Sequence, residues 1–237
     1  QLQKDKGYAA AIETERSQMA SSHTIKRFFK LFGWWLAPRL RWILRKLFIW
    51  RLKIMKTIEI VLYIDSMVMD NDYALKRHGV EPTYKKKKGF QPLHIIWNGI
   101  IVDAIFRGGS KNGNFGNTVA NMVTDLVKQI RSEYNESVTI ILRCDSGFFD
   151  DNNFTTFNDL NIAFIAAGKM YDAVKQQAGD ADDCYWNSYD NKEQTWSFLE
   201  FGFRCDKWKG FFRAFYTRCL YEDRQMLLDF ARPDNVI

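Results

Sequence analysis

Ile58-Glu59-Ile60-Val61-Leu62-Tyr63-Ile64-Asp65-Ser66 is a run of β-branched and aromatic residues that stops at a carboxylate. Branched side chains fit a pleated, enclosed surface, so Ile58 to Ile64 predicts a buried strand. The pattern returns at Val138 to Cys144, which ends in Asp145-Ser146-Gly147. Between them, Pro92 to Trp97 and Ile100 to Phe106 are two apolar runs joined by Asn98-Gly99. That dipeptide suits a tight hairpin, because both turn residues take positive φ. Gly108 to Gly116 is a Gly/Asn-rich loop. Val119, Met122, Val123, Leu126, Val127 and Ile130 follow at helical spacing and predict a helix over 117–134. Asp150 to Leu160 predicts a second helix, and Ile162 to Ala167 a short strand closed by Gly168.

The order is therefore strand, strand, strand, helix, strand, helix, strand, which resembles the chain order of a ribonuclease H-like domain. The early strands are hairpin-connected, and the later ones, linked by helices, should pair in parallel. Upstream, residues 8–20 look helical by composition, and Ser21-Ser22 offers an N-cap. Residues 24–53 read as one or two basic helices interrupted at Pro38. Downstream, residues 183–232 alternate aromatic and polar residues, with turn signals at Asp190-Asn191 and Lys209-Gly210. This predicts an antiparallel β-rich insertion. The expected fold class is α/β: a ribonuclease H-like mixed sheet with flanking helices, a basic helical N-terminal segment and a β-rich C-terminal insertion. The expected boundaries are 1–56, 57–170 and 171–237.

Charge is unevenly placed. The 237 residues carry a net +6, but residues 1–56 hold 13 Lys and Arg against 3 acids, a net of +10, so the remainder nets −4. An anionic partner is favoured. Phe28, Phe29, Phe32, Trp34, Trp35, Trp42, Phe48 and Trp50 are threaded with Arg39, Arg41, Arg45, Lys46, Arg51 and Lys53. Three readings are open for this segment: core helices of a DNA-binding or dimerising subdomain, a membrane-surface helix, or another structure altogether. Interfacial helices separate apolar from charged faces, which this segment does poorly, so the first is favoured. No run reaches the roughly 18 apolar residues of a membrane span. Cys144, Cys184, Cys205 and Cys219 show no C-x-x-C spacing, which argues against a zinc ribbon or redox pair. Scattered thiols and the lack of a signal-peptide pattern suit a cytoplasmic protein. The sequence begins at Gln1 and reads as an internal stretch.

Asp65 and Asp145 each follow a buried strand, and each precedes a serine. Taken singly, either is better explained as a cap or turn residue. If their strands are neighbours, the two carboxylates meet, and close carboxylates demand a proton or a cation. Hard oxygen donors suit Mg²⁺ or Mn²⁺. Lys85, Lys86, Lys87 and Lys88 read either as a solvated loop or as contacts to a phosphate backbone. His94 alternates with apolar neighbours and reads as a core histidine; His23 and His78 lie in polar surroundings. The glycine-rich loop lacks the Lys-Ser/Thr pair of a P-loop. Asp180, Asp182 and Asp183 read as a solvated acidic loop.

Tyr63-Ile64-Asp65-Ser66, then Tyr84 through Lys85–Lys88 to Gly89-Phe90-Gln91-Pro92-Leu93, then Arg143-Cys144-Asp145-Ser146-Gly147-Phe148 resemble the DDE-type transposases of bacterial insertion sequences. The likeness is to the branch with a Tyr-Arg-Glu-Lys signature and a β-strand insertion before the final Glu, and it covers roughly residues 57–232. It implies three acids binding two Mg²⁺ or Mn²⁺ ions, DNA cut by water, and attack of the freed 3′-hydroxyl on target DNA. It matches Asp65 to the first acid and Asp145 to the second. The third is expected in the spacing Tyr-x-x-Arg-x-x-x-Glu. Here Tyr221 and Arg224 match the first half, and Leu228 stands where Glu is expected, while Arg218 to Phe230 reads better as two strands around a turn. The matching helix is therefore expected beyond Ile237. The partners implied are double-stranded DNA, as terminal repeats and as target, and no membrane; the aromatic-basic segment is a candidate for joining a homodimer. Two other readings stand beside it: a DNA-binding or assembly remnant without activity, and a nuclease of the same fold acting on branched or damaged DNA.

Overall fold

In the computed structural model the described residues are 21–72, 79–190, 195–220 and 235–236. The helix expected over 8–20 lies outside them. The chain divides into two compact units, Gln1–Lys46 and Leu47–Ile237.

The first unit holds α1 (Ser22–Lys30), a 3-10 turn (Trp34–Leu36) and the start of α2 (Ala37–Met55). Ser21 caps α1 by accepting from the Thr24 amide at 3.2 Å. Pro38 does not break a longer helix. It sits in the first turn of α2, where its missing N–H has no intrahelical partner to lose. Arg39 lies over the Trp35 ring and Lys46 over the Trp42 ring, 5.7 and 5.5 Å from the ring centres.

The boundary between units falls inside α2, whereas the sequence places one at 56/57. Phe48, Ile49 and Leu52 are buried in the core of the second unit, and Phe48 packs edge-on against Trp97. The last turns of the basic helix are thus core residues of the larger unit.

That unit is built on a five-stranded mixed sheet ordered β6-β5-β1-β7-β8. Its strands are β1 (Glu59–Ser66), β5 (Leu93–Trp97), β6 (Ile100–Ile105), β7 (Thr139–Cys144) and β8 (Ala163–Ala166). β1 pairs antiparallel with β5 and parallel with β7; β7 pairs parallel with β8. Asn98 and Gly99, at φ 46° and 76°, close the hairpin between β5 and β6. This is the ribonuclease H-like arrangement the order of elements implies. On one face of β1, Ile60, Leu62 and Ile64 pack with α3 (Thr118–Glu133), which buries Val119, Met122, Val123, Leu126, Val127 and Ile130. Each fully buried aliphatic side chain contributes about 1.5–3 kcal/mol of transfer free energy. α4 (Asp151–Asp159) adds Phe154 and Phe157 to the same core.

The described residues between β1 and β5 hold three further short strands. β2 (Met69–Asp70), β3 (Glu81–Pro82) and β4 (Lys88–Phe90) make a small sheet ordered β2-β4-β3. Strands of two or three residues carry too few side chains to show a period. The C-terminal β region is present: β9 (Trp186–Asp190), β10 (Thr195–Phe203), β11 (Phe212–Leu220) and β12 (Asn235–Val236) pair antiparallel in the order β12-β11-β10-β9. A helix not anticipated, α5 (Asp172–Gly179), precedes it, and Val174 and Ala178 pack against Leu199 and Tyr216. The Lys209-Gly210 turn is held by Asp151, which accepts from both amides at 3.2 and 3.4 Å. Phe154, Phe203, Trp208 and Phe212 pack edge to face, Phe149 lies tilted on Trp208, and the cluster joins this sheet to the core.

Candidate metal and DNA site

The parallel β1–β7 ladder ends on the rung Ile64 with Cys144. Asp65 is the next residue of β1, and Asp145 is the first residue past β7. Adjacent strands lie about 4.8 Å apart, so the two carboxylate-bearing backbones stand side by side. Alternation decides where the side chains go. Ile60, Leu62 and Ile64 turn into the core, so Tyr63 and Asp65 turn to the other face, as Arg143 does on β7; Asp145, just past β7, opens into the same groove. Both aspartates are exposed and line one open groove with Tyr63, Ile96, Arg143 and Ile165.

The two carboxylates are held differently. Asp65 Oδ1 accepts from the Ser66 amide at 2.6 Å. Asp145 Oδ1 accepts from the Gly147 amide at 2.8 Å and caps the 3-10 turn Ser146–Phe148. The capping role expected of a strand-end Asp is therefore real at Asp145, and it uses one oxygen of the two. It also fixes the orientation of that carboxylate. Two exposed carboxylates on neighbouring strand ends form a hard oxygen donor set that fits a divalent cation such as Mg²⁺ or Mn²⁺. Among the described residues, no third His, Cys, Asp or Glu joins them in a cluster. Tyr221, Arg224 and Leu228, the positions tested against the third-acid spacing, lie outside the described residues.

His94 is buried on β5 directly across from Asp65. Cys144 is half-buried beside Asp145, and burial first, then the Asp145 charge, push its thiol up to about 12. Two residues that received no role from sequence join the site. The Arg143 guanidinium donates to Tyr63 Oη at 2.8 Å and covers the Tyr63 ring at 4.8 Å. The signal was available: each residue stands two positions before an aspartate, which on a strand means the same face.

Lys85, Lys86, Lys87 and Lys88 are all exposed. Lys85 to Lys87 form the tight turn between β3 and β4, closed by the Thr83 amide to the Lys87 carbonyl at 2.8 Å. Lys87 is paired with Asp70 at 2.8 Å, which holds the Asp70 carboxyl below its ordinary range. β4 runs through Gln91 and Pro92 into β5, whose Leu93 pairs with Ser66. The lysine turn therefore rises from the end of the sheet that carries Asp65. In the other unit, Arg39 is exposed, and Arg41, Arg45 and Lys46 are half-buried. No helix among the described residues is long and apolar enough to cross a membrane.

The family model described as transposase DDE domain group 1 matches residues 1–231. Comparison with curated protein sequences gives no match. Among solved structures, the piggyBac transposase synaptic complex with hairpin DNA aligns at 12% identity and a TM-score of 0.40, over 95% of this chain and 49% of that one. The chain thus spans about half the length of that protein. The Mos1 transposase paired-end complex aligns at 11% identity and a TM-score of 0.31, over 77% of this chain and 68% of that one.

Proposed function

The chain belongs to the transposase DDE domain group 1 family, and from that premise we propose that it carries out metal-dependent DNA cleavage and strand transfer at insertion-sequence ends. The observation that carries this reading is the adjacency of Asp65 and Asp145 just past the last β1–β7 rung. Asp65 and Asp145 would hold Mg²⁺ or Mn²⁺. When bound, such ions supply Lewis-acid activation of the attacking oxygen and neutralise charge on the leaving one.

The remaining work falls to the chain's own groups. Asp145 is fixed by its cap, so its carboxylate needs little reorganisation to ligate. Arg143, oriented by Tyr63, presents a cation on the same face and can hold a phosphate of the bound strand. The exposed lysine turn would add phosphate contacts that do not read the sequence. Arg39, Arg41, Arg45 and Lys46 of the N-terminal unit would add further phosphate contacts. Double-stranded DNA, as terminal repeat and as target, is the substrate. The proposed organisation keeps the N-terminal basic segment, the ribonuclease H-like core and the β-rich insertion as separate functional parts, with the basic segment also a candidate for pairing two subunits.

The test is cleavage of terminal-repeat DNA in Mg²⁺ or Mn²⁺ by the chain and by Asp65→Asn and Asp145→Asn. Cleavage lost in both variants supports the reading; cleavage that survives both rejects the site. A second reading has its own observation. No third carboxylate joins the pair among the described residues, which favours a DNA-binding or assembly role without activity. Salt-dependent DNA binding with no cleavage under either metal would select it.

A further inference from the structure

Arg107, just past β6, is 7% exposed. Its Nε donates to the Gln91 carbonyl at 3.1 Å and its Nη1 to the Gly113 carbonyl at 3.2 Å. No carboxylate pairs with it among the described residues, and Nη2 has no hydrogen-bond partner. A buried guanidinium without a counter-ion is costly, and burial pushes its pKa down. A cation so placed needs a reason.

Its two carbonyl partners lead to the two aspartates. Gln91 is tied to Arg107 twice, since the Gln91 amide also donates to the Arg107 carbonyl at 3.0 Å. The Gln91 side chain lies between the 108–116 loop and Ser66. With its nitrogen donating to the Gly109 and Lys111 carbonyls at 3.2 Å each, its oxygen is the atom 3.4 Å from Ser66 Oγ. Ser66 follows Asp65, and its amide donates to that carboxylate. On the other side, Gly113 packs on Gly147 so closely that a Cβ there would meet the Gly147 carbonyl at 2.7 Å. The Gly147 amide is the donor to Asp145 Oδ1.

We infer that Arg107 is a positioning residue for the aspartate pair, bracing the Asp65 end through Gln91 and the Asp145 turn through Gly113. It touches neither carboxylate. Its planar fork holds the Gln91 and Gly113 carbonyls at once, in a geometry that a flexible ammonium matches less well. The inference rests on Asp65 and Asp145 forming one metal site.

The test is Mn²⁺ calorimetry on the chain, Arg107→Met, Arg107→Lys and Gly113→Ala, with Asp65→Ala and Asp145→Ala as controls. Hydrogen exchange is read over residues 64–67 and 145–148 in each. The parent should bind Mn²⁺ and both controls lose it. Arg107→Met should weaken binding by about 10–100-fold, as loss of an outer support does, with faster exchange in both segments. Arg107→Lys should fall between. Unchanged affinity and exchange in folded Arg107→Met overturns the inference. If the parent does not bind Mn²⁺, or either control retains it, the shared-site reading fails, and exchange alone judges the brace: unchanged rates in Arg107→Met reject it. If both Arg107 variants fail to fold, Gly113→Ala decides. It wedges the loop from the Asp145 turn without removing a charge, and unchanged affinity and exchange there reject the brace.

Discussion

Arg143 and Tyr63 are rung partners on the parallel β1–β7 ladder, and the Arg143 guanidinium both donates to Tyr63 Oη and covers its ring. Each stands one alternation before an aspartate. The cation and the carboxylates therefore share one face of the sheet. Arg143→Ala should lower affinity for duplex DNA and reduce the salt slope of binding by about 1, as loss of one phosphate contact does. The pair is exposed, so the stability cost should stay below about 1 kcal/mol. DNA titrations at several salt concentrations, with thermal unfolding, check both.

Asp145 caps a turn and, in the proposed site, would also ligate a cation, and substitution separates the two. Asp145→Asn keeps an acceptor for the Gly147 amide but removes the charge. Asp145→Ala removes both. The alanine variant should lose about 1 kcal/mol, the usual value of a side-chain cap, and the asparagine variant much less. Both should lose Mn²⁺ binding. Denaturant unfolding beside calorimetry separates the two roles.

The Asp70–Lys87 pair sets a pH signature. The hydrogen bond from Lys87, then that from the Asp72 amide, lowers the Asp70 pKa, and the same pair raises that of Lys87. A depressed carboxyl contributes stability that is present above its unfolded pKa and is lost as pH falls through its folded one. A raised amine contributes stability present below its unfolded pKa and lost as pH rises through its folded one. The pair should therefore add no pH dependence between about pH 5 and 9. Lys87→Met should return Asp70 toward the ordinary aspartate value in a carboxyl NMR titration.

Cys144 is half-buried, with its thiol pushed up to about 12, while Cys184 is exposed. The thiolate is the reactive form. In the native chain at pH 8, an alkylating reagent should label Cys184 well before Cys144. Peptide mapping of the labelled protein reads the order.

The end of α2 belongs to the core. Leu52 is fully buried, and Leu52→Ala should cost about 2–5 kcal/mol. Trp50, two residues earlier on the same helix, is 62% exposed, and Trp50→Ala should stay within about 0.5 kcal/mol. Paired denaturant curves compare them directly.

Local chemistry made much of the architecture legible. The runs Ile58 to Ile64 and Val138 to Cys144 are too rich in branched residues for anything but enclosed strands. Asn98-Gly99 dictated its hairpin, because both residues adopt positive φ. The 3.6-residue spacing from Val119 to Ile130 named the face of α3 that is buried. Asp65 and Asp145 stood out because each ends such a strand. Three things were decided only in three dimensions. The side-by-side order of β1 and β7 depends on long-range pairing, and that order brings Asp65 and Asp145 to neighbouring strand ends. The small β2-β4-β3 sheet has strands too short to carry a period. The Arg107 brace joins Gln91 and Gly113 across sequence gaps that no local pattern spans. Periodicity and turn chemistry are properties of neighbouring residues and can be read along the chain. Strand order and a buried cation's partners come from packing, which balances every segment against the others at once.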